Sequence, residues 1–225
     1  MTNIALIALV AIVPLVALTL TSFVKLSVVL SLVRNAIGAS DAPSGLVITG
    51  LSLVLTFFLM APIATDMVRA ATTAPAASPD HSNAGSPVGE QGVWRAFVPE
   101  QYRSQVDSVE RGLEPLRGFL AKHAAAKDRN SFKELSAALG RTVSGDELWV
   151  VAPAFVTTEL REAFAIGILI FLPFLVIDLL VALGLTSLGL ASTQPQVVAL
   201  PLKLLLFVAV DGWRLLIDSL VRGYA

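Results

Sequence analysis

Four ionisable residues stand in otherwise apolar surroundings: Lys25, Asp178, Lys203 and Asp211. A charge in a membrane segment costs about 2.5–3.5 kcal/mol on insertion scales, so such residues pair, face water or line a path for ions. The spacing of two of them permits pairing. If the chain reverses near residues 190–191, Asp178 and Lys203 lie equally far from the turn, at one depth on adjacent helices. An ion pair there offsets part of the burial cost. Three roles stay open: a pair that fixes helix register, a path for protons or ions, and a contact between subunits.

Little other chemistry is on offer. The 225 residues contain no Cys, which excludes disulfides, thiolate metal sites and thiol nucleophiles. His81 sits in a Ser/Pro/Gly-rich stretch and His123 in a polar helical one, so a His metal cluster within one chain is not expected. No phosphate-binding G-x-x-x-x-G-K-[ST], H-E-x-x-H or G-x-S-x-G pattern occurs. We therefore expect no enzyme, no cofactor and no metal. The net charge of −1 gives no basic surface for nucleic acid.

The elements that must position these charges are apolar helices. Apolar residues make up 55% of the chain and charged ones 15%, against about 25% charged in a typical soluble domain. Ile4–Val24 is an uncharged run of 21 residues, long enough to cross a hydrocarbon core. It lacks the basic n-region of a signal peptide, so it reads as a retained membrane helix, kinked at Pro14 and continuing past Lys25 to Arg34. Asn35, Gly38, Pro43 and Gly45 mark a break, and Gly45–Thr65 is a second uncharged run of 21 residues. These form a first hairpin. Ala71–Gly92, rich in Ala, Pro, Ser and Gly, reads as a flexible loop.

Trp94–Arg141 is polar with helical periodicity. Tyr102, Val106 and Val109 form one stripe, and Leu113, Leu116, Phe119 and Leu120 another, with Gly112 and Pro115 separating two pieces. Asn130 or Ser131 caps a third short helix that Gly140 ends. From Ala163 to Val210 the only charges are Asp178 and Lys203, and Gly184, Gly189, Pro195 and Pro201 break that stretch into a second hairpin. Gly45, Gly50, Gly184 and Gly189 are candidates for close helix approach.

The expected fold is an all-α membrane protein, with two long helical hairpins flanking a small helical extramembrane domain. The boundaries are 1–66 for the first hairpin, 67–93 for the linker, 94–152 for the small domain and 153–225 for the second hairpin. Arg34 and Lys25 place the first turn in the cytoplasm by the positive-inside tendency, and hence the polar middle on the periplasmic side of an inner membrane.

Five separated segments make a resemblance specific. KLSVVLSLVRNAIG (Lys25–Gly38), LTFFLMAP (Leu55–Pro62), EPLRGFLAKH (Glu114–His123), PAFVTTELREAFAIGILIFLPFLVIDLLVA (Pro153–Ala182) and ALPLKLLLFVAVDGW (Ala199–Trp213) follow one another in the order of the FliP/YscR family of type III secretion export-gate subunits. The resemblance implies a homo-oligomer, usually of five copies. It implies assembly with FliQ/YscS-like and FliR/YscT-like membrane subunits and a FlhB/YscU-like switch protein, around a narrow channel for unfolded secretion substrates. It also implies intersubunit salt bridges at Lys25, Glu159 and Lys203, which makes Glu159 a rival to Asp178 for Lys203.

The family often carries a run of Met in the turn of the second hairpin, forming a deformable gasket. Here that turn reads TSLGLASTQP (Thr186–Pro195), so Leu188, Gly189, Leu190, Ala191 and Ser192 are the candidate gate residues. The absence of a signal peptide favours a virulence-type over a flagellar system. Two rival functions are a stand-alone secondary transporter, which calls for inverted repeats that the sequence does not display, and an assembly scaffold without a pore.

Overall fold

The computed structural model describes residues 18–38, 43–73, 100–141, 145–190 and 192–224, with the backbone alone for 100–106. The described regular structure is all helical: α1 (Phe23–Ile37), α2 (Gly45–Thr72), α3 (Glu100–His123), α4 (Ala126–Ala138), α5 (Leu148–Ser187), α6 (Pro195–Ala209) and α7 (Gly212–Arg222). The readings made for Ile4–Val24 up to Ala17, for Pro14, for residues 74–92, for the side chains of Tyr102 and Val106, and for Ala191 lie outside the described residues.

Among the described residues two helices, α2 and α5, are long and apolar enough to cross a membrane. At 1.5 Å per residue the 40 residues of α5 extend about 60 Å, twice a hydrocarbon core of about 30 Å. Among the described residues much of its apolar surface is uncovered: Ile168, Leu169, Leu172, Val176, Leu179 and Leu183 are all exposed.

Several elements differ from their sequence expectation, each for a local reason. The run toward Arg34 is interrupted: the chain turns over Leu20–Ser22 and α1 starts at Phe23. There the Thr21 hydroxyl donates to Leu18 O at 2.9 Å, a local bond that competes with the helical ladder. Gly112 and Pro115 do not divide α3. Instead Gly112 is where α3 meets α2, since a Cβ at Gly112 would stand 3.1 Å from that of Ala71. α4 starts at Ala126, four residues before Asn130, and the Ser131 hydroxyl donates back to Lys127 O at 3.1 Å instead of capping. Gly184 lies within α5 and Pro201 within α6, so the reversal is confined to Leu188–Gln194, with Pro195 as first residue of α6.

The chain divides into two compact units. One comprises residues 60–155. Its core gathers Phe119, Leu120 and Ala124 with Val150, Val151, Ala154 and Phe155, and the Phe119 and Phe155 rings lie 5.6 Å apart. Val109 and Leu113 are exposed, so the two expected stripes of α3 are only partly covered.

The other unit comprises residues 1–59 and 156–225. Its core is built by α1 with Leu26, Val29, Leu30 and Val33, by α5 with Ala163 and Phe174, by α6 with Phe207, and by α7 with Leu216 and Leu220. Close approach comes from glycines other than those expected. A Cβ at Gly167 of α5 would collide with Leu32 of α1, and one at Gly212 with the Phe207 ring. Gly50, Gly184 and Gly189 have nothing within 4 Å of such an added carbon.

Candidate functional site

Each helix of the second unit presents a stripe of positions three or four apart, and the ionisable groups occupy positions in those stripes. On α1, Lys25 is buried in series with Leu26, Val29 and Val33. On α5 the buried series Glu159, Ala163 and Phe174 continues to Asp178, which is partly buried. On α6 the series is Ala199, Lys203, Phe207, and beyond it Gly212, Leu216, Leu220 and Tyr224 recur at every fourth position. A 3.6-residue period makes such positions one face. The charges therefore turn inward with the apolar side chains, and each must find a partner there.

Lys25 finds two carboxylates. Its Nζ lies 3.3 Å from Glu159 Oε2 and 2.7 Å from Glu162 Oε2. The Glu159 side chain is 1% exposed and that of Glu162 50%, so one partner is sealed and the other faces outward. Tyr224 completes the cluster: its hydroxyl donates to Glu159 Oε2, and its ring centroid lies 4.6 Å from Lys25 Nζ. Burial, and then the adjacent Glu159 carboxylate, push the Tyr224 phenol far above its ordinary pKa, so it is a proton donor at any physiological pH.

Lys203 has a different environment. Its Nζ donates to Asp178 Oδ2 at 2.7 Å and to Ala36 O at 3.1 Å. Ala36 lies in the last turn of α1, whose end is closed by Gly38 at φ +81° with its N–H on Arg34 O and Asn35 O. The final carbonyls of a helix lack intrahelical donors and carry the negative end of its dipole, so an ammonium is well placed there. A small cavity of about 270 Å³, bordered by Asn35, Gly38, Asp178, Gln196 and Lys203, adjoins the contact. Glu159, the rival partner for Lys203, is engaged with Lys25 instead. Asp211 is exposed at the corner between α6 and α7, where it takes a left-handed backbone with φ 52° and lies 4.0 Å from Arg214.

The candidate gate residues occupy the reversal between α5 and α6. Gly189 has φ +74°, its N–H bonds Thr186 O at 3.1 Å, and the Leu190 N–H bonds Leu185 O at 2.9 Å. That paired pattern is the Schellman ending of a helix, which uses glycine for its left-handed position. Leu188 is 73% exposed, and Leu190 and Ser192 are exposed beside it. The turn thus presents two leucines to whatever surrounds it.

Glu162 and Tyr224 are the members of the Lys25 cluster that sequence reasoning missed. Glu162 reads as part of the polar start of an apolar helix. The signal for Tyr224 is the four-residue recurrence from Gly212, which places it on the buried face of α7 extended. Among the described residues no group of His, Cys, Asp and Glu could hold a metal ion.

Residues 6–220 match the FliP family. The chain is 38% identical to "Pathogenicity-related ORF2" of Xanthomonas campestris pv. glycines, over 94% of this chain and 90% of that protein. It is 38% identical to the flagellar biosynthetic protein FliP of Pectobacterium carotovorum, over 94% of this chain and 73% of that protein. It is 35% identical to the hypersensitivity response secretion protein HrcR of Ralstonia nicotianae, over 94% of this chain and 91% of that protein.

Proposed function

The chain belongs to the FliP family, and from that premise we propose that this component of a protein export apparatus is a core pore-forming subunit of a type III export gate. Sister copies, five in the usual arrangement, assemble with FliQ/YscS-like and FliR/YscT-like membrane subunits around an axial channel for unfolded polypeptide, and a FlhB/YscU-like protein acts at its base. The single observation that carries this reading is α5. It is about twice as long as a bilayer core is thick, yet among the described residues a row of its large apolar side chains from Phe164 to Leu183, including Ile168, Leu169, Leu172, Val176 and Leu179, is exposed. Lipid covers only part of such a helix, and neighbouring chains cover the rest.

The charge clusters support assembly as well. Each buried lysine is held by one inward partner and one partly exposed carboxylate, Glu162 for Lys25 and Asp178 for Lys203. Those carboxylates are the parts of the clusters that a neighbouring copy reaches. Leu188, Gly189, Leu190, Ala191 and Ser192 form the gate, and exposed leucines at the reversal seal the closed state by dewetting. The polar residues 94–152 stand on the periplasmic side, an orientation that follows from Arg34 and Lys25 near the first turn by the positive-inside tendency. Relatives with pathogenicity and hypersensitivity-secretion names support a virulence-type system, and a flagellar relative matches at equal identity.

Mass and stoichiometry of the complex extracted in detergent test the reading. Several copies with two smaller hydrophobic subunits are expected, and a chain that stays single with those partners supplied overturns it. The gate is tested by Leu188→Gln and Leu190→Gln, which are expected to raise ion leakage or block secretion. Unchanged conductance and unchanged secretion exclude both residues from the constriction.

A further inference from the structure

We propose that Tyr224 is a positioning residue for the Lys25–Glu159 pair, and that its hydroxyl is needed for the subunit to work in export. The proposal rests on the export reading above. Three observations meet at this side chain. The corner at Asp211 and Gly212 turns the chain into α7, whose Leu216 and Leu220 are buried, and the next position in that series, Tyr224, is 8% exposed. Its hydroxyl binds Glu159, and its ring lies beside the Lys25 ammonium. One residue therefore touches both members of an ion pair whose partners are separated by 134 positions in the chain.

Such a contact has a directional consequence. A sealed carboxylate with only Lys25 as partner has lone pairs to spare, and an ammonium with two carboxylates nearby has a choice. Glu162 is 2.7 Å from Lys25, closer than Glu159, and it is free to follow solvent or a neighbour because half of its side chain is exposed. The Tyr224 hydroxyl fixes Glu159 Oε2, and the ring face holds Lys25 by a cation–π contact. Without the hydroxyl, Glu159 is left under-satisfied and Lys25 shifts toward Glu162, at the surface that sister copies share. The ring alone keeps the apolar packing of the site, so Tyr224→Phe removes the positioning bond and little else.

The chain has only two tyrosines, Tyr102 and Tyr224, so fluorotyrosine labelling of the full chain gives two fluorine NMR signals, assigned with Tyr102→Phe. Glu159→Gln and Lys25→Met are expected to move the Tyr224 signal and leave that of Tyr102 in place; an unmoved Tyr224 signal overturns the contact. Secretion is then measured in cells relying on the full-length chain. Tyr224→Phe is expected to lower secretion at least threefold with the protein accumulating normally in the membrane, and Tyr224→Leu to lower it further. Normal secretion by Tyr224→Phe overturns the positioning role even where the contact is seen. Failure of the wild-type chain to support secretion, with the fluorine shifts intact, counts against the export reading instead.

Discussion

The two buried lysines answer the same problem in different ways. Among the described residues Lys25 is held by side chains: two carboxylates and a phenol ring, drawn from α5 and from the turn after α7. Lys203 divides its hydrogen bonds between one carboxylate and the main chain at the end of α1. The first site stays together only while three distant segments remain packed. The second is anchored to a helix end that exists for its own reasons, and its carboxylate, Asp178, is 39% exposed and so stays partly hydrated if the lysine is lost. Similar burial of the cation thus conceals unequal dependence on tertiary packing.

The largest expected effect comes from breaking the closed site. Lys25→Met leaves Glu159 sealed without a cation, and removing one member of a buried pair costs about 3–5 kcal/mol. Denaturant titration of the detergent-solubilised protein reads this, and a loss below 1 kcal/mol shows that Glu159 is wetter than its burial implies.

Lys203→Met is expected to cost less, about 1.5–3 kcal/mol for a charge-assisted hydrogen bond, because Asp178 reaches solvent. Exchanging the pair separates the carboxylate's contribution from that of the helix end. Asp178→Lys with Lys203→Asp restores the ion pair but not the bond to Ala36 O, since a carboxylate cannot donate. Stability is therefore expected to recover in part; full recovery removes the helix end from the account.

Next in size is a control remote from both lysines. Gly189→Ala places a Cβ on a left-handed residue and is expected to cost about 1–2 kcal/mol. Because nothing lies within 4 Å of the added carbon, the cost is one of backbone conformation alone, and Gly189→Asn is expected to lose less. Equal loss from both variants breaks that assignment.

The smallest effect at neutral pH belongs to the Tyr224 proton. The folded protein holds this proton more tightly than the unfolded chain, whose phenol ionises near pH 10. The stabilisation is complete below that pH and declines as pH rises above it, because the unfolded state then releases a proton that the folded state keeps. Stability of the wild type is expected to fall more steeply between about pH 10 and 11.5 than that of Tyr224→Phe; parallel curves refute the raised phenol.

How far the site was legible depends on how far apart its members lie in sequence. Asp178 and Lys203 stand at equal distances from a turn announced by Gly189 and Pro195, so counting brings them to one level. Helix-breaking residues were less informative. Gly184, Pro201, Gly112 and Pro115 all lie inside helices, because packing and the remaining hydrogen bonds outweigh the loss at a single position. Gly112 and Gly167 instead matter for what comes close to them, which no local pattern records.

That the protein is built from apolar helices, and which residues share a face, is written in the order of its residues, because helical periodicity follows from backbone geometry within a few residues. That Lys25 lies against Glu159, Glu162 and Tyr224, and that Lys203 reaches the end of α1, comes from the packing of distant helices. Partner choice depends on how whole helices pack, and many packings satisfy the same periodic pattern. The one adopted is set by close contacts, such as Gly167 on Leu32, between positions far apart in the chain.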